Sequence, residues 1–125
     1  MVKYLKMTHN CDLYNLKLGE GTLNANYSEY VTSQDEKKLL SLIDDVKDLM
    51  AKNWSLNNRS AFVKGKRYYW VTVNAKGHLR TMHPKCGIIT DNVANMRYNY
   101  FEQEQDAEML KDKIKDLFKR NGFPL

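Results

Sequence analysis

The chain has 125 residues, 42% of them hydrophobic and 28% charged, with a formal net charge of +5 at pH 7. This length suits one domain with a core large enough to need neither a metal nor a disulfide. No apolar run approaches the roughly 20 residues of a membrane span, and the first residues lack the pattern of a secretory leader. The two cysteines, Cys11 and Cys86, are therefore expected to be reduced thiols of a cytoplasmic protein.

Extended structure is predicted for the N-terminal residues. Alternating side chains predict a strand over Val2–Met7. A second extended piece is predicted from Leu13, Leu16 and Leu18, and the Gly-Glu-Gly of residues 19–21 predicts a turn. The polar stretch 22–32 is predicted as strand or loop.

The first helix begins with a capping-box pattern. The Ser33 hydroxyl is expected to accept from the amide of residue 36, and the Glu36 carboxylate to reach back to the Ser33 amide. Apolar residues at helical spacing then predict an amphipathic helix over 34–52, and 53–60 are predicted as a polar connection. The acidic residues of the helix are interpreted as its solvated face rather than as an acid–base pair: Asp44, Asp45 and Asp48.

A β-hairpin is predicted after this connection, because side chains alternate along its first strand. Its core face comprises Tyr69, Val71 and Val73, and its opposite face comprises Tyr68, Trp70 and Thr72. Residues 74–77 predict a turn closed by a glycine, followed by a return strand over 78–82.

A loop, a strand and a helix complete the C-terminal part. The loop is predicted over 84–95, the strand over 97–101 and the helix over 103–120. Asn121 and Gly122 predict a left-handed helix cap. We therefore expect a single domain of the α+β class, in which a small antiparallel sheet packs against two amphipathic helices on one face.

Positive charge is concentrated in the hairpin region. Residues 1–60 are balanced, so residues 61–125 carry the whole excess. Within 64–97, the only acidic residue is Asp91, against seven basic ones: Lys64, Lys66, Arg67, Lys76, Arg80, Lys85 and Arg97. Such a region attracts phosphates or an acidic protein surface; alternatively, it is a solvated hairpin whose lysines discourage edge pairing.

Aromatic and basic side chains alternate closely in this region and predict a binding surface. Exposed aromatics with basic neighbours stack on bases and bind phosphates, and Tyr, Trp and Arg dominate protein–protein hot spots. The alternative is that Tyr68 and Trp70 are covered by the N-terminal strands or by a helix. The candidate binding residues are Lys66, Arg67, Tyr68, Trp70, Lys76, His78, Arg80, Lys85 and Arg97.

Histidine and cysteine offer a weaker alternative, a zinc site or a Cys–His nucleophile. His9 with Cys11, and His83 with Cys86, are the available pairs. Structural zinc sites favour paired short spacings such as Cys-x-x-Cys, and no third member orients a nucleophile here. No metal, cofactor or catalytic activity is therefore expected.

The second half of the chain resembles a module found in small bacteriophage and prophage accessory proteins. The resemblance covers about 64–118 and rests on Tyr68-Tyr69-Trp70-Val71, Gly77, Arg97-Tyr98-Asn99-Tyr100-Phe101 and Asp106-Ala107-Glu108. The sequence departs from the module at Gln103, where Thr is usual, and in the loop carrying Cys86, Ile88 and Ile89.

The resemblance implies a class of function rather than particular site residues. Small phage proteins of this kind often inhibit host defence systems, as anti-CRISPR proteins do. Because this chain is basic, DNA mimicry is disfavoured, and an acidic surface of a host protein or protein–nucleic acid complex is the expected partner. Direct DNA or RNA binding is the alternative, and the protein is expected to be a monomer or homodimer.

Overall fold

The computed structural model describes residues 2–7, 12–22, 30–57, 62–90 and 93–125. It confirms the α+β class. The strands are β1 (Val2–Met7), β2 (Leu16–Gly21), β3 (Thr32–Ser33), β4 (Arg67–Thr72) and β5 (His83–Ile88), and the helices are α1 (Glu36–Asn57) and α2 (Glu104–Arg120). Short 3-10 turns occupy Leu13–Asn15, Leu79–Thr81 and Val93–Met96. The second predicted extended piece is therefore wrong at Leu13 and begins at Leu16 as β2. Most of the stretch predicted as strand or loop after β2, residues 23–29, lies outside the described residues.

β1 is the central strand of a three-stranded antiparallel sheet with the order β2-β1-β3. The predicted strand Val2–Met7 is confirmed, but the predicted turn at 19–21 is wrong because these residues continue β2. Gly19 lies directly opposite Tyr4. An ideal Cβ on Gly19 would be 2.6 Å from Tyr4 Cζ, so this glycine allows the ring to cover the strand rather than turn the chain.

α1 is capped differently from the prediction and is longer. The Asp35 carboxylate accepts from the Lys37 amide at 3.1 Å, and the Ser33 hydroxyl accepts from the Asp35 amide at 3.0 Å. Asp35 is therefore the N-cap, and the expected Ser33 capping box is wrong by register. The predicted polar connection is wrong up to Asn57, because Trp54 packs against the main core and the helix continues past it.

β4 and β5 form a separate two-stranded antiparallel sheet, so the expected single sheet is in fact two. The turn predicted at 74–77 is confirmed: Gly77 has φ +78° and donates to the Asn74 carbonyl at 2.9 Å. The predicted return strand at 78–82 is wrong, since it contains a 3-10 turn whose Thr81 hydroxyl accepts from the Asn74 amide at 2.9 Å. The return strand is β5, which apart from His83 lies within the segment predicted as loop.

The strand predicted over 97–101 is also wrong, although this segment does lie beside β4. Tyr98 has φ +57°, which interrupts an extended run. Only Phe101 pairs through its backbone, exchanging two hydrogen bonds of 2.8 Å with Tyr69. The Asn99 side chain makes the next contact with the β4 backbone.

α2 confirms the predicted C-terminal helix and its cap. Its apolar stripe of Ala107, Leu110, Ile114 and Phe118 is buried, and Gly122 has φ +85°. α2 contacts β4 and β5, whereas α1 contacts the N-terminal sheet, and the two helices also contact each other. The main core draws on both sheets and both helices, so the hairpin is fixed to a shared framework.

Candidate binding surface on the second hairpin

The β4–β5 hairpin has two faces, which strand alternation assigns. The register pairs Arg67 with Ile88, Tyr68 with Gly87, Tyr69 with Cys86 and Trp70 with Lys85. One face therefore carries Arg67, Tyr69, Val71, Pro84, Cys86 and Ile88, and the other carries Tyr68, Trp70, Thr72, His83, Lys85 and Gly87. Tyr69 and Val71 pack into the main core, which confirms their predicted core face.

Tyr68 is wrongly predicted as an exposed contact residue, because it is 0% exposed. Its ring lies 5.5 Å from that of Tyr100 and 6.0 Å from that of Phe62, between centroids. Its hydroxyl accepts from the Val63 amide at 2.7 Å. The chain on both sides of the hairpin thus covers the face that alternation alone would leave open, and Tyr68 anchors a second, smaller core with Ile89 and Met96.

His78 is also buried, with 9% exposure, and so does not supply a surface contact. Its backbone amide donates to Asn74 Oδ1 at 3.2 Å, and its Nδ1 lies 3.2 Å from Asn74 Nδ2. The Tyr30 ring meets the imidazole edge-on with centroids 4.7 Å apart. His78 therefore holds the connection between β4 and β5 against the N-terminal sheet.

Trp70 is half-buried and lies directly opposite the exposed Lys85. The indole covers Gly87, since an ideal Cβ at that glycine would be 2.8 Å from Trp70 Cη2. Gly87 thus provides the space for the ring, and part of the indole remains at the surface beside the Lys85 ammonium group. This pair keeps the combination of aromatic and cation that the sequence predicted.

On the other face, Arg67 lies beside the exposed Cys86. The Arg67 Nη1 atom is 3.8 Å from Cys86 Sγ. A hydrogen bond with Cys86 is the main cause that raises the pKa of the Tyr69 hydroxyl above its ordinary value. Ile88, opposite Arg67, is 58% exposed. A large apolar side chain therefore stands at the surface next to a guanidinium group.

The remaining predicted cations lie elsewhere or are already paired. Lys66 forms an ion pair with Glu102, and this hydrogen bond raises the pKa of Lys66 above its ordinary value. Arg80 Nη1 donates to the Pro124 carbonyl at 3.1 Å. Lys76 lies in the turn before β5. The nine predicted residues therefore do not form one continuous face.

Arg97 belongs to a separate aromatic cluster. Its guanidinium group lies 4.9 Å from the Tyr14 ring centroid and 5.2 Å from that of Tyr98. A hydrogen bond with Tyr98 is the main cause that raises the pKa of Arg97. Arg97 is exposed, but its position over Tyr14 connects it to the N-terminal part of the chain rather than to β4 and β5.

His83 and Cys86 lie on opposite faces of β5, which argues against the zinc or nucleophile pair considered from the sequence. Three positions apart, they would meet in a loop or helix but diverge in a strand. The His83 Nδ1 atom contacts the Thr81 carbonyl at 2.8 Å instead. The other predicted pair, His9 with Cys11, lies outside the described residues. Within the described residues, no group of three potential metal ligands occurs.

Sequence reasoning missed that Cys86 and Ile88 are exposed residues of a strand, because Pro84 and Gly87 indicated a loop. The one available signal was the β-branched pair Ile88 and Ile89, since such residues favour strands. We name four side chains the hairpin surface: Arg67 and Ile88, which are exposed on one face of the hairpin, and the exposed Lys85 and half-buried Trp70 on the other face.

Comparison with protein-family models, with curated proteins and with solved structures yields no match for this chain. Among the helices that the structure describes, neither has the length and apolar character needed to cross a membrane.

Proposed function

We propose that this chain is a non-enzymatic binding protein whose hairpin surface contacts an acidic surface of another protein. The observation that carries the proposal is that each face of the β4–β5 hairpin exposes a cation beside a large side chain, Lys85 beside the half-buried Trp70 and Arg67 beside the exposed Ile88. Aromatic and arginine side chains beside apolar ones are typical of interface hot spots. The surrounding positive charge speeds association with an acidic partner.

A host defence nuclease or complex is the partner class to test first. This part of the proposal rests on the resemblance of residues 64–118 to small phage accessory proteins. The protein would then act as an anti-CRISPR-like inhibitor in the bacterial cytoplasm. Its formal charge of +5 favours an acidic protein surface over the nucleic-acid-binding cleft that an acidic DNA mimic would occupy.

Burial of Tyr68 favours a protein partner over direct nucleic-acid binding. Single-stranded nucleic acid is usually held by several aromatic rings that stack on successive bases. Of the two aromatics predicted for this purpose, Tyr68 is enclosed in the small core and Trp70 is half-buried over Gly87. Of the two rings predicted to stack on bases, only Trp70 therefore keeps partial access to solvent.

Affinity capture from a bacterial lysate tests the proposal, with and without nuclease treatment. The wild-type chain should retain a defined host protein in both conditions. The double variant Arg67→Glu and Lys85→Glu should retain about tenfold less of it, because both cations then repel an acidic partner. The matched control Lys37→Glu and Lys38→Glu changes the charge equally on α1 and should bind as the wild type does.

Two results would contradict this function. If capture disappears after nuclease treatment, the partner is nucleic acid rather than protein. A steep salt dependence of binding in a gel-shift assay would then support direct nucleic-acid binding. Equal capture by both double variants would show that the hairpin surface is not the contact.

A further inference from the structure

In the part of the chain that the structure describes, the outer edge of β5 has no paired strand. On β4, Tyr69 exchanges both backbone hydrogen bonds with Phe101, and the backbone of Val71 bonds to the Asn99 side chain. The backbone N–H and C=O groups of Tyr69 and Val71 therefore point away from β5. The alternate β4 residues therefore bond to β5, where their partners are His83, Lys85 and Gly87. It follows that Pro84, Cys86 and Ile88 direct their backbone groups outward.

Two further observations agree with this assignment. Pro84, which has no amide hydrogen, occupies an outward position, where proline is tolerated in an edge strand. Alternation predicts that the backbone groups of Ile89 point toward β4, and its carbonyl does accept from the Gly65 amide at 3.2 Å. Among the residues that the structure describes, no strand pairs with the outer edge of β5, and both Cys86 and Ile88 are exposed.

We infer that β5 receives an extended acidic segment of a partner protein, which pairs with the amides and carbonyls of Cys86 and Ile88 as an added strand. The inference rests on the proposed function and specifies how the hairpin surface would bind. Strand addition takes affinity from backbone hydrogen bonds and specificity from alternate side chains. Because Pro84 limits the pairing on one side, the docking segment is confined to the Lys85-to-Ile89 end of β5.

Charge and exposure define the chemistry of the added strand. A side chain beside Lys85 on the same face would approach within about 5 Å of it, which favours glutamate or aspartate. A side chain beside the exposed Ile88 lies on the opposite face, and an apolar residue there covers it. The expected segment therefore alternates acidic and apolar residues, with its acidic face toward Lys85 and its apolar face toward Ile88.

A second copy of this chain fits the edge less well. Antiparallel pairing of two β5 strands through Cys86 would bring both copies of Lys85 to the same face of the interface, diagonally across the paired strands. Like charges that face each other across paired strands are destabilising. An acidic partner removes this repulsion.

The test uses the full chain and an end-capped octapeptide that alternates glutamate and valine. We expect the amides of Cys86 and Ile88 to gain about tenfold or more protection from hydrogen exchange when the peptide is added, measured by NMR. Cys86→Pro, which removes one outward amide, should weaken binding about tenfold, whereas Cys86→Ser keeps that amide and should bind normally. Ile88→Pro is the second variant should Cys86→Pro not fold.

Several outcomes would overturn the inference. They are absence of protection at both amides, equal binding by the folded proline variants and Cys86→Ser, and equal binding of a lysine–valine octapeptide. Protection that appears on raising the protein concentration without peptide would assign the edge to a second copy. In the lysate experiment, partner loss in the Arg67→Glu and Lys85→Glu variant but not in Cys86→Pro would retain the proposed function and refute strand addition.

Discussion

The Asn99 side chain substitutes for a missing strand, which makes it a sensitive position for a substitution. Asn99 is 1% exposed. Its Oδ1 accepts from the Val71 amide at 2.9 Å, and its Nδ2 donates to the Val71 carbonyl at 2.8 Å. In Asn99→Asp, a protonated carboxyl group can make both bonds, whereas an ionised one would place a second acceptor against the Val71 carbonyl.

The loss in free energy of unfolding caused by Asn99→Asp follows from the cost of keeping the new carboxyl group protonated. Burial and the facing carbonyl raise the pKa of the new carboxyl in the folded state above its unfolded value of about 3.9. The unfolded chain then binds fewer protons than the folded one, so the variant loses stability as pH rises. The loss reaches about 1.4 kcal/mol per pH unit above the unfolded pKa, or about 4 kcal/mol at neutral pH if the proton is retained. This is a large share of the about 5–15 kcal/mol of a typical domain.

Urea unfolding of the wild type and Asn99→Asp between about pH 4 and pH 7 checks this expectation. The difference in free energy of unfolding should be small at the acidic end and should grow steadily toward neutrality. Gln105→Glu is the matched control, since it makes the same change at an exposed position of α2 and should stay within about 0.5 kcal/mol. A difference for Asn99→Asp that does not change with pH would refute the reasoning.

Three further substitutions test packing around the hairpin. Gly87→Ala should displace the Trp70 indole, because its Cβ would lie 2.8 Å from the ring; unchanged tryptophan fluorescence would contradict this. Gly77→Ala should lower the urea midpoint of unfolding more than Gly65→Ala does. Both glycines have positive φ, but of the two only a Cβ at position 77 would lie 3.3 Å from backbone atoms. Equal shifts in the two variants would argue against that contact. Tyr68→Phe should lower the free energy of unfolding by about 1 kcal/mol. It should also speed hydrogen exchange of the Val63 amide, which donates to the Tyr68 hydroxyl at 2.7 Å; an unchanged exchange rate would count against this bond.

The helices were predictable because their signals are local. The stripe from Ala107 to Phe118 repeats at helical spacing, and the glycine at 122 adopts the left-handed conformation that ends a helix. The end of α1 was missed because the polar composition of residues 53–57 indicated a connection, whereas the helix continues to Asn57 and Trp54 packs into the core from its last turns. Tertiary packing extended the helix where composition indicated a connection.

The second sheet was less predictable because it depends on contacts between distant residues. The glycine turn indicated a short hairpin, but Thr81 and His78 bond to Asn74 and form a longer connection. The return strand therefore begins at His83, and its side chains take a different set of partners from β4. Alternation identified the two faces of β4, but it could not show that Tyr68 is covered by residues from outside the hairpin.

The same contacts that corrected the predicted strand over 97–101 also determine which edge of the β4–β5 sheet has no paired strand among the described residues. Phe101 and Asn99 bond to the side of β4 that faces away from β5. Without them, both edges of a two-stranded sheet would be available for pairing, and an added strand would have two positions to occupy. Because β4 is closed in this way, the β5 edge is the one left without a paired strand among the described residues, and the proposed added strand would pair there beside the exposed Lys85 and Ile88. Asn99 thus connects the stability of the hairpin to the position of its proposed binding edge.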